Sequence, residues 1–232
     1  MIRRFHIYFA VLLSFTFGCN KVEDKPKHID HLVFTAPSLE EGMDAIEAVL
    51  GMRPVMGGRH PNYGTHNALL SLGETTYLEV IAPDPELESP QRGRLLELNY
   101  KANPRLTTWV LRSESIEELY HKATENGITL GEVESGKREK LDGTVLSWKL
   151  SDPYAFPHSG AIPFLISWGN TPHPAKVVPQ AGELISLEIE HPNSEVVRQQ
   201  LNVLDVHISV KQADTYKLSA KIKTETGVIT LE

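Results

Sequence analysis

The sequence of 232 residues contains one cysteine, Cys19, so no disulfide bond forms within the chain. Beyond the first few positions, no stretch of basic residues is interleaved with aromatic ones, and 30 acidic against 23 basic residues give a net charge of -7. Nucleic acid is therefore not an expected partner. The sequence also lacks a G-x-S-x-G turn, so it offers no candidate for nucleophilic catalysis.

Residues 1–19 are typical of a secretory signal. Two arginines precede an apolar run over 5–17 that is too short to span a membrane comfortably, and Gly18 and Cys19 follow. This ending resembles the lipidation signal of bacterial lipoproteins; the alternatives are an ordinary signal peptide and an uncleaved anchor with an incidental cysteine. We expect an exported protein of the bacterial cell envelope, anchored to a membrane by a lipid on Cys19 and a polar tether over 20–27.

The rest of the chain contains one pattern three times, an alternating strand followed by an amphipathic helix. Residues 28–51 read "HIDHLVFTAP" and "SLEEGMDAIEAVLG", and residues 106–127 contain "LTTWVLRS" and "SIEELYHKATENG". A third copy begins at Leu184 with "LISLEIEHPN" and "SEVVRQQLNVL". The repetition predicts three units of similar build.

Capping residues predict where these helices begin. Ser38 and Glu41 fit an S-x-x-E capping box, and Ser115 and Glu118 fit a second one. The third copy has Ser194 at the corresponding position but lacks the glutamate.

Further alternating strands follow each helix: "THNALLSLG" and "TYLEVIAP", then "TVLSWKLS" and "AIPFLISWG", then "VHISVKQ", "YKLSAKIKT" and "GVITLE". The pattern predicts an α+β chain of three βαβββ units over 28–105, 106–178 and 179–232. The third unit is short enough to be a reduced copy. The turn "TAPS" after the first strand has no glycine, so a dinucleotide site is not expected.

Three stretches carry a family resemblance: "IDHLVF" in the first strand, residues 57–85, and "PFLISWGNTPHP" at 163–174. They resemble the vicinal oxygen chelate superfamily and, within it, the glyoxalase-like domain proteins, over residues 28–232. The resemblance implies paired βαβββ modules that curl around a cleft. It also implies that a divalent metal, Zn, Ni, Mn or Fe, binds between the first and fourth strands of the modules.

His31 and Glu79 match the family's metal positions in one module. In a regular strand, three residues share the face of His31, namely Ile29, Val33 and Thr35. Asp30 then lies on the opposite face. Glu79 has apolar neighbours, where a carboxylate is costly unless it is neutralised. The alternatives to a metal are a buried hydrogen bond between His31 and Glu79, and a Glu79 on a solvated face.

The second unit supplies neither ligand. Alignment on the helix caps places Thr108 or Trp109 where the first unit has its histidine. Alignment of "ISWGNTP" on "EVIAPDP" places Ile166 where the first unit has its glutamate. A symmetric site with four ligands is therefore not expected. His66 is the candidate third ligand beside His31 and Glu79, a set of two histidines and one carboxylate. The alternative for His66 is a hydrogen-bonding residue of the cleft wall.

Other residues are candidates for contacts with a ligand. Arg59 follows two glycines and is suited to pairing with an anionic group. His60 and His173 lie in loops rich in glycine and proline, where they are either functional or simply exposed. Three aromatic residues are expected to line the cleft or to lie in the core: Tyr77, Trp109 and Trp168.

These features predict an exported glyoxalase-like protein that binds a small organic molecule in a cleft of the first two units. In an enzyme, a metal held by His31, His66 and Glu79 would polarise neighbouring oxygens of the substrate of a lyase, isomerase or dioxygenase. Glu79 would act as a ligand or as a base. The alternative is a lipoprotein that binds or sequesters a small molecule without chemistry, which the missing ligands of the second unit favour. We expect one chain to complete the cleft, as a monomer.

Overall fold

A computed structural model of the chain describes residues 28–98, 103–139 and 145–232. Within these ranges the chain has the expected α+β fold, with three α-helices and two β-sheets. The predicted signal segment, the lipidated Cys19 and the polar tether fall in residues 1–27 and so lie outside the described residues. The helices that the structure describes are too short or too polar to span a lipid bilayer.

The order strand, helix and three strands occurs three times. The first unit contains β1 (Ile29–Thr35), α1 (Leu39–Leu50), β2 (Val55–His60), β3 (Thr65–Ser71) and β4 (Tyr77–Pro83). The second contains β5 (Arg105–Arg112), α2 (Ile116–Glu125), β6 (Val133–Glu139), β7 (Val145–Ser151) and β8 (Phe164–Ser167). The third contains β9 (Glu183–His191), α3 (Ser194–Val203), β10 (Ser209–Gln212), β11 (Lys217–Thr224) and β12 (Gly227–Leu231).

The first two units share one eight-stranded sheet with the order β2-β3-β4-β1-β5-β8-β7-β6. In each unit the first strand is parallel to the last, β1 to β4 and β5 to β8. The two first strands, β1 and β5, pair antiparallel at the centre. The units are therefore related by an approximate twofold axis, and β2 and β6 form the two edges. The sheet curls into a half-barrel with a cleft on its concave face.

The third unit repeats the order of elements but not the pairing of the strands. Its sheet has the order β10-β9-β11-β12, in which β9 pairs with β10 in parallel and with β11 antiparallel. The first strand thus lies inside the sheet instead of beside the last strand. The third unit has all its elements but a different topology from the other two. It contacts the second unit where the Tyr216 hydroxyl donates to the carbonyl oxygen of Thr107 at 2.9 Å.

Apolar residues cover both faces of the large sheet. The outer face packs against the helices and includes Leu32, Phe34, Ile46, Leu78 and Trp109. The concave face includes Val33, Ile81, Val110 and Ile166. Ile29 lies in the outer core and not on the face of Val33, so the prediction from regular alternation is wrong there. The reason is an irregularity in the β1–β5 pairing between Ile29 and His31.

At the first predicted capping box the serine caps the helix and contacts the glutamate, and at the second it makes no capping bond. The Ser38 hydroxyl accepts from the backbone N–H of Glu41 at 3.3 Å and donates to the Glu41 carboxylate at 2.9 Å. The backbone of Ser115 has φ −108° and ψ 60° instead of the extended conformation of Ser38, and its side chain makes no capping bond. At α3 the capping position is Asn193 and not Ser194.

Candidate functional site

The cleft lies between the first two units, on the concave face of the large sheet. It has an empty volume of about 780 Å³, which includes its open side. Strands of both units line it, and Leu95 and Leu96 from the connection between the units complete the wall. The lining of the cleft is mostly apolar with a few polar side chains, which is typical of sites for small organic molecules.

The strand register identifies which positions of the two units are equivalent. In the first unit, His31 on β1 pairs with Tyr77 on β4, and Glu79 follows two residues later on β4. In the second unit, Val110 on β5 pairs with Phe164 on β8. Val110 and Phe164 correspond to the pair Val33 and Glu79, because the Ala36 N–H donates to the Ile81 carbonyl in the first unit and the Ser113 N–H donates to the Ile166 carbonyl in the second. Thr108 is therefore the counterpart of His31.

By the same correspondence, Phe164 takes the place of Glu79, whereas Ile166, the residue predicted from the sequence, is the counterpart of Ile81. The counterpart of the histidine is Thr108, one of the two residues that alignment on the helix caps predicts. Its hydroxyl donates to the carbonyl oxygen of Gly160 at 2.9 Å. Three residues separate the first strand from the helix in both units, so alignment on the helix cap also aligns the first strands. The second unit thus contributes mainly apolar residues and Arg138 to the cleft, and the first unit contributes the other polar groups.

The polar wall of the cleft is formed by His31, Asn67 and Glu79. Asp30 is the centre of a buried hydrogen-bond network behind this polar wall. Its carboxylate is fully buried and lies 2.8 Å from Nδ1 of His31 and 3.1 Å from Nε2 of His173. The Trp168 indole N–H donates to both carboxylate oxygens, at 3.1 and 3.2 Å. Burial alone would raise the pKa of Asp30, but the hydrogen bonds from His173 and His31 outweigh burial and bring the pKa from 3.8 to about 2. Asp30 is therefore ionised at neutral pH.

The hydrogen bonds indicate which ring nitrogens of His173 and His31 carry a proton. Nδ1 of His173 accepts from the backbone N–H of Ala175 at 3.2 Å, so Nε2 of His173 carries the proton donated to Asp30. The ionised Asp30 accepts from Nδ1 of His31 in the same way. The second ring nitrogen of His31 is thereby directed at Glu79, with Nε2 at 3.6 Å from Oε2. When His31 is neutral, its Nε2 and the Oε2 of Glu79 are both hydrogen-bond acceptors and face each other. A donor or cation supplied by a ligand would bind to both atoms.

Glu79 is held from its other side by Asn67 on β3. The Asn67 amide donates to Oε1 of Glu79 at 2.6 Å. The amide oxygen of Asn67 is buried and has no hydrogen-bond partner in the described part of the chain. Gly57 on β2 makes room for it, since a Cβ at Gly57 would collide with this oxygen. The polar wall therefore offers an unused acceptor beside the glutamate.

Aromatic rings fix the orientation of the histidine. Tyr77 stacks on His31 with a centroid separation of 4.5 Å, and Phe164 contacts it edge-on at 6.2 Å. Burial raises the pKa of the Tyr77 phenol well above 10.0, and the carboxylates of Asp30 and Glu79 raise it further. Tyr77 thus stays protonated next to the cleft.

His66 and Arg59 lie away from the polar wall. Side chains alternate along β3, so His66 faces away from the cleft while its neighbour Asn67 lines the cleft. Nδ1 of His66 lies 4.0 Å from the Asp84 carboxylate. Nε of Arg59 lies 3.0 Å from the same carboxylate, and Nη2 of Arg59 contacts Glu86. The structure therefore brings neither residue to His31 and Glu79.

The remaining predicted residues divide between cleft and core. His60 lines the cleft, and its Nδ1 lies 3.0 Å from the Thr65 hydroxyl. Tyr77 and Trp168 also line it. Trp109 lies in the outer core, where its indole N–H donates to a backbone carbonyl at 3.2 Å. His173 is buried beside the cleft, where it contacts Asp30 and the rings of Tyr77 and Trp168.

The donors do not form the expected set of three metal ligands. His31 and Glu79 face each other, His66 points away, and both oxygens of Asp30 already accept hydrogen bonds. Within 28–98, 103–139 and 145–232, no group of three or more His, Cys, Asp or Glu side chains is arranged to hold a metal ion. These residues supply two donors at the polar wall, so a divalent metal stays a prediction.

Three residues of the site were not predicted from the sequence: Asp30, Asn67 and Arg138. Asp30 could have been recognised as an acid next to a histidine, but regular alternation places it on the other face. Arg138 lies on β6, "VESGKRE", which has no apolar alternation. Its guanidinium nevertheless lines the cleft.

Comparisons with known proteins identify the fold. The family model described as "Glyoxalase-like domain" matches residues 29–204. No curated protein matches the sequence. A hypothetical protein from Staphylococcus aureus has a similar structure, with a TM-score of 0.61 and 14% identity over 88% of this chain and 98% of its own. Methylmalonyl-CoA epimerase from Mycobacterium tuberculosis has a TM-score of 0.40 and 15% identity over 63% of this chain and 90% of its own.

Proposed function

This chain belongs to the glyoxalase-like domain family, and we propose that it binds a small amphipathic organic molecule in the cleft between its first two units. The observation that carries the proposal is the unequal polarity of equivalent positions. His31 and Glu79 in the first unit correspond in the second to Thr108, whose buried hydroxyl is bound to the Gly160 carbonyl, and to Phe164. A ligand with one polar and one apolar side matches such a cleft.

The apolar wall would contribute to the binding free energy through the burial of an apolar part of the ligand. Leu146, Trp148 and Leu150 on β7 line it, and Trp148 lies next to Trp168 with a centroid separation of 5.8 Å. Each apolar Å² removed from water contributes about 25 cal/mol. The polar groups of the opposite wall would then orient the ligand by hydrogen bonds.

N-phenyl-1-naphthylamine, a neutral dye that fluoresces in apolar sites, tests this proposal. The Leu150→Trp variant narrows the cleft at a partly exposed position, and Val177→Trp adds the same side chain at an exposed one. We expect the parent protein and Val177→Trp to bind the dye and Leu150→Trp to lose at least tenfold in affinity. Circular dichroism checks that both variants are folded. Absence of dye binding in the parent, or equal binding by Leu150→Trp, would overturn the proposal.

The second candidate is an enzyme that moves a proton on the bound molecule. It is favoured by the Asp30 carboxylate, which directs Nε2 of His31 at Glu79. Phenylpyruvate, an aromatic 2-oxo acid, serves as a probe in deuterated water. We expect the parent to accelerate deuterium exchange at the methylene group and Glu79→Gln to lose about a hundredfold of that acceleration. Equal exchange by the parent and Glu79→Gln would exclude Glu79 as the base.

We also propose, from residues 1–27 alone, that the chain is exported and carries a lipid on Cys19. In a bacterial host given labelled palmitate, the full chain is expected in the membrane fraction with the label. Cys19→Ser should lose both label and membrane association, whereas Gly18→Ala keeps a small residue before the cysteine and should retain them. A labelled Cys19→Ser protein would contradict the proposal.

A further inference from the structure

We propose that the ligand of the cleft carries an anionic group, in its simplest form a carboxylate, and that Arg138 binds this group. The inference rests on the proposed function and adds the chemical class of the ligand, an organic acid with an apolar body. The residue expected from the sequence to pair with an anion is Arg59. Arg59 already forms ion pairs with Asp84 and Glu86 on the outside of the sheet.

The strand register directs Arg138 into the cleft. On β6, Gly136 and Arg138 share one face, and their partners on β7 are Trp148 and Leu146. Arg138, Trp148 and Leu146 all line the cleft. The guanidinium therefore lies at the edge of the apolar wall, where it is half-buried.

Arg138 also reaches from one edge of the curled sheet to the other. A Cβ at Gly58 on β2 would collide with Nη1 of Arg138, so the guanidinium rests on the backbone of the opposite edge strand. Only glycine leaves this space free. Because β2 and β6 flank the open side of the cleft, the cation lies across the entrance that a ligand would use.

No carboxylate among the described residues lies within ion-pair distance of Arg138. Some other arginines have carboxylate partners, with Arg53 bound by Glu40 and Asp44, and Arg92 bound by Asp152. A half-buried guanidinium has five N–H donors in a planar fork that suits a carboxylate or phosphate. An anionic ligand would supply the missing acceptors.

The cleft thus has two poles of opposite charge, the Glu79 carboxylate and the Arg138 guanidinium. Burial lowers the pKa of His60, the negative charge of Glu79 raises it, and the positive charge of Arg138 lowers it, so both charges act on the same ring. Glu79 itself lies beyond ion-pair distance from Arg138. A ligand with an acidic group at Arg138 and a hydrogen-bond donor at Glu79 would match both poles, and the apolar wall would bind the part between them.

A pair of related dyes tests the anion directly. 1-Anilinonaphthalene-8-sulfonate carries a negative charge, and N-phenyl-1-naphthylamine has the same ring system without it. We expect Arg138→Gln to weaken binding of the anionic dye about tenfold and to change binding of the neutral dye less than twofold. Lys137→Gln removes the same charge from the exposed neighbour on the other face of β6 and should change neither affinity. The affinity of the parent for the anionic dye should also fall with added NaCl more steeply than that of Arg138→Gln.

The outcomes separate this inference from the proposed function. Unchanged affinity of Arg138→Gln for the anionic dye, while Leu150→Trp abolishes binding of both dyes, would overturn the anion site and leave the cleft as the binding site. An equal loss for both dyes would show that Arg138 shapes the cleft without recognising charge, which also overturns the inference. Binding of neither dye by the parent would overturn the proposed function itself.

Discussion

Nδ1 of His31 lies 2.8 Å from Oδ1 of Asp30, its neighbour in the same strand. Consecutive side chains of a regular strand point to opposite faces and do not meet in this way. The irregular pairing of β1 with β5 at this point brings them together. The pair fixes the histidine ring, and the same carboxylate binds Trp168 and His173. The polar wall of the cleft therefore depends on one buried negative charge.

Replacement of this charge should destabilise the fold. In Asp30→Asn the amide has one acceptor where three donors converge, so buried N–H groups lose their partners. We expect the free energy of unfolding to fall by about 3 kcal/mol, measured by urea denaturation. Asp205→Asn makes the same change in an exposed pair with His207 and should have a much smaller effect. Equal losses in the two variants would contradict the importance of the network.

The stability of the parent should depend on pH through Asp30. The pKa of Asp30 is about 2 in the folded chain against 3.8 as its ordinary value, so the unfolded chain takes up the proton first as the pH falls. This contribution, roughly 2 kcal/mol, is complete above about pH 5 and is lost as the pH falls towards 2. Asp30→Asn lacks it, so the stability difference between parent and variant should shrink over that range. A constant difference would show that the folded pKa is not lowered.

The sequence predicts the repeated order of elements because apolar periodicity and turn residues determine it locally. It also places His31 and Glu79 on strands that turn out to be neighbours, β1 and β4. Two edge strands were missed, β2 "VMGGRH" and β6 "VESGKRE". Both contain glycine and few apolar residues, since an edge strand beside an open cleft has little core to pack against.

The missed strands explain most of the error in the candidate site. Arg138 was overlooked because β6 has no apolar alternation, and Arg59 was preferred because it follows two glycines. Asp30 was assigned to the wrong face because a bulge depends on the partner strand and leaves no local signal. His66 was grouped with Glu79 although its neighbour Asn67 is the residue of β3 that reaches the glutamate. Each error arises where pairing between distant segments decides the geometry.

Metal analysis can decide the role of His66. If a divalent ion binds at the polar wall, His31→Ala and Glu79→Ala should lower the metal content of residues 20–232, purified without a histidine tag and measured by mass spectrometry. His66→Ala should retain the metal content of the parent, because His66 faces away from the cleft. Metal loss in His66→Ala equal to that in His31→Ala would contradict this orientation.

Gly58 should affect ligand binding only through the position of the Arg138 guanidinium. In Gly58→Ala the added methyl group displaces the guanidinium, which is the flexible end of a side chain, so the fold tolerates it. We expect the affinity for 1-anilinonaphthalene-8-sulfonate to fall about threefold to tenfold. In the Arg138→Gln background the same substitution should have little effect, because the displaced group is already absent. Additive losses in the double variant would show that Gly58 acts independently of Arg138.

Substitutions of Trp109 and Trp148 should differ in their effects on stability and on ligand binding. Trp109 is fully buried in the outer core and donates a hydrogen bond to a backbone carbonyl, so Trp109→Phe should lower the free energy of unfolding by about 1 to 3 kcal/mol. It should leave the affinity for N-phenyl-1-naphthylamine unchanged, since Trp109 faces away from the cleft. Trp148 lines the cleft and is only partly buried, so Trp148→Phe should weaken dye binding severalfold with a smaller loss of stability. If Trp109→Phe weakened dye binding as much as Trp148→Phe, the dye would not be bound in this cleft, because the sheet separates the two side chains.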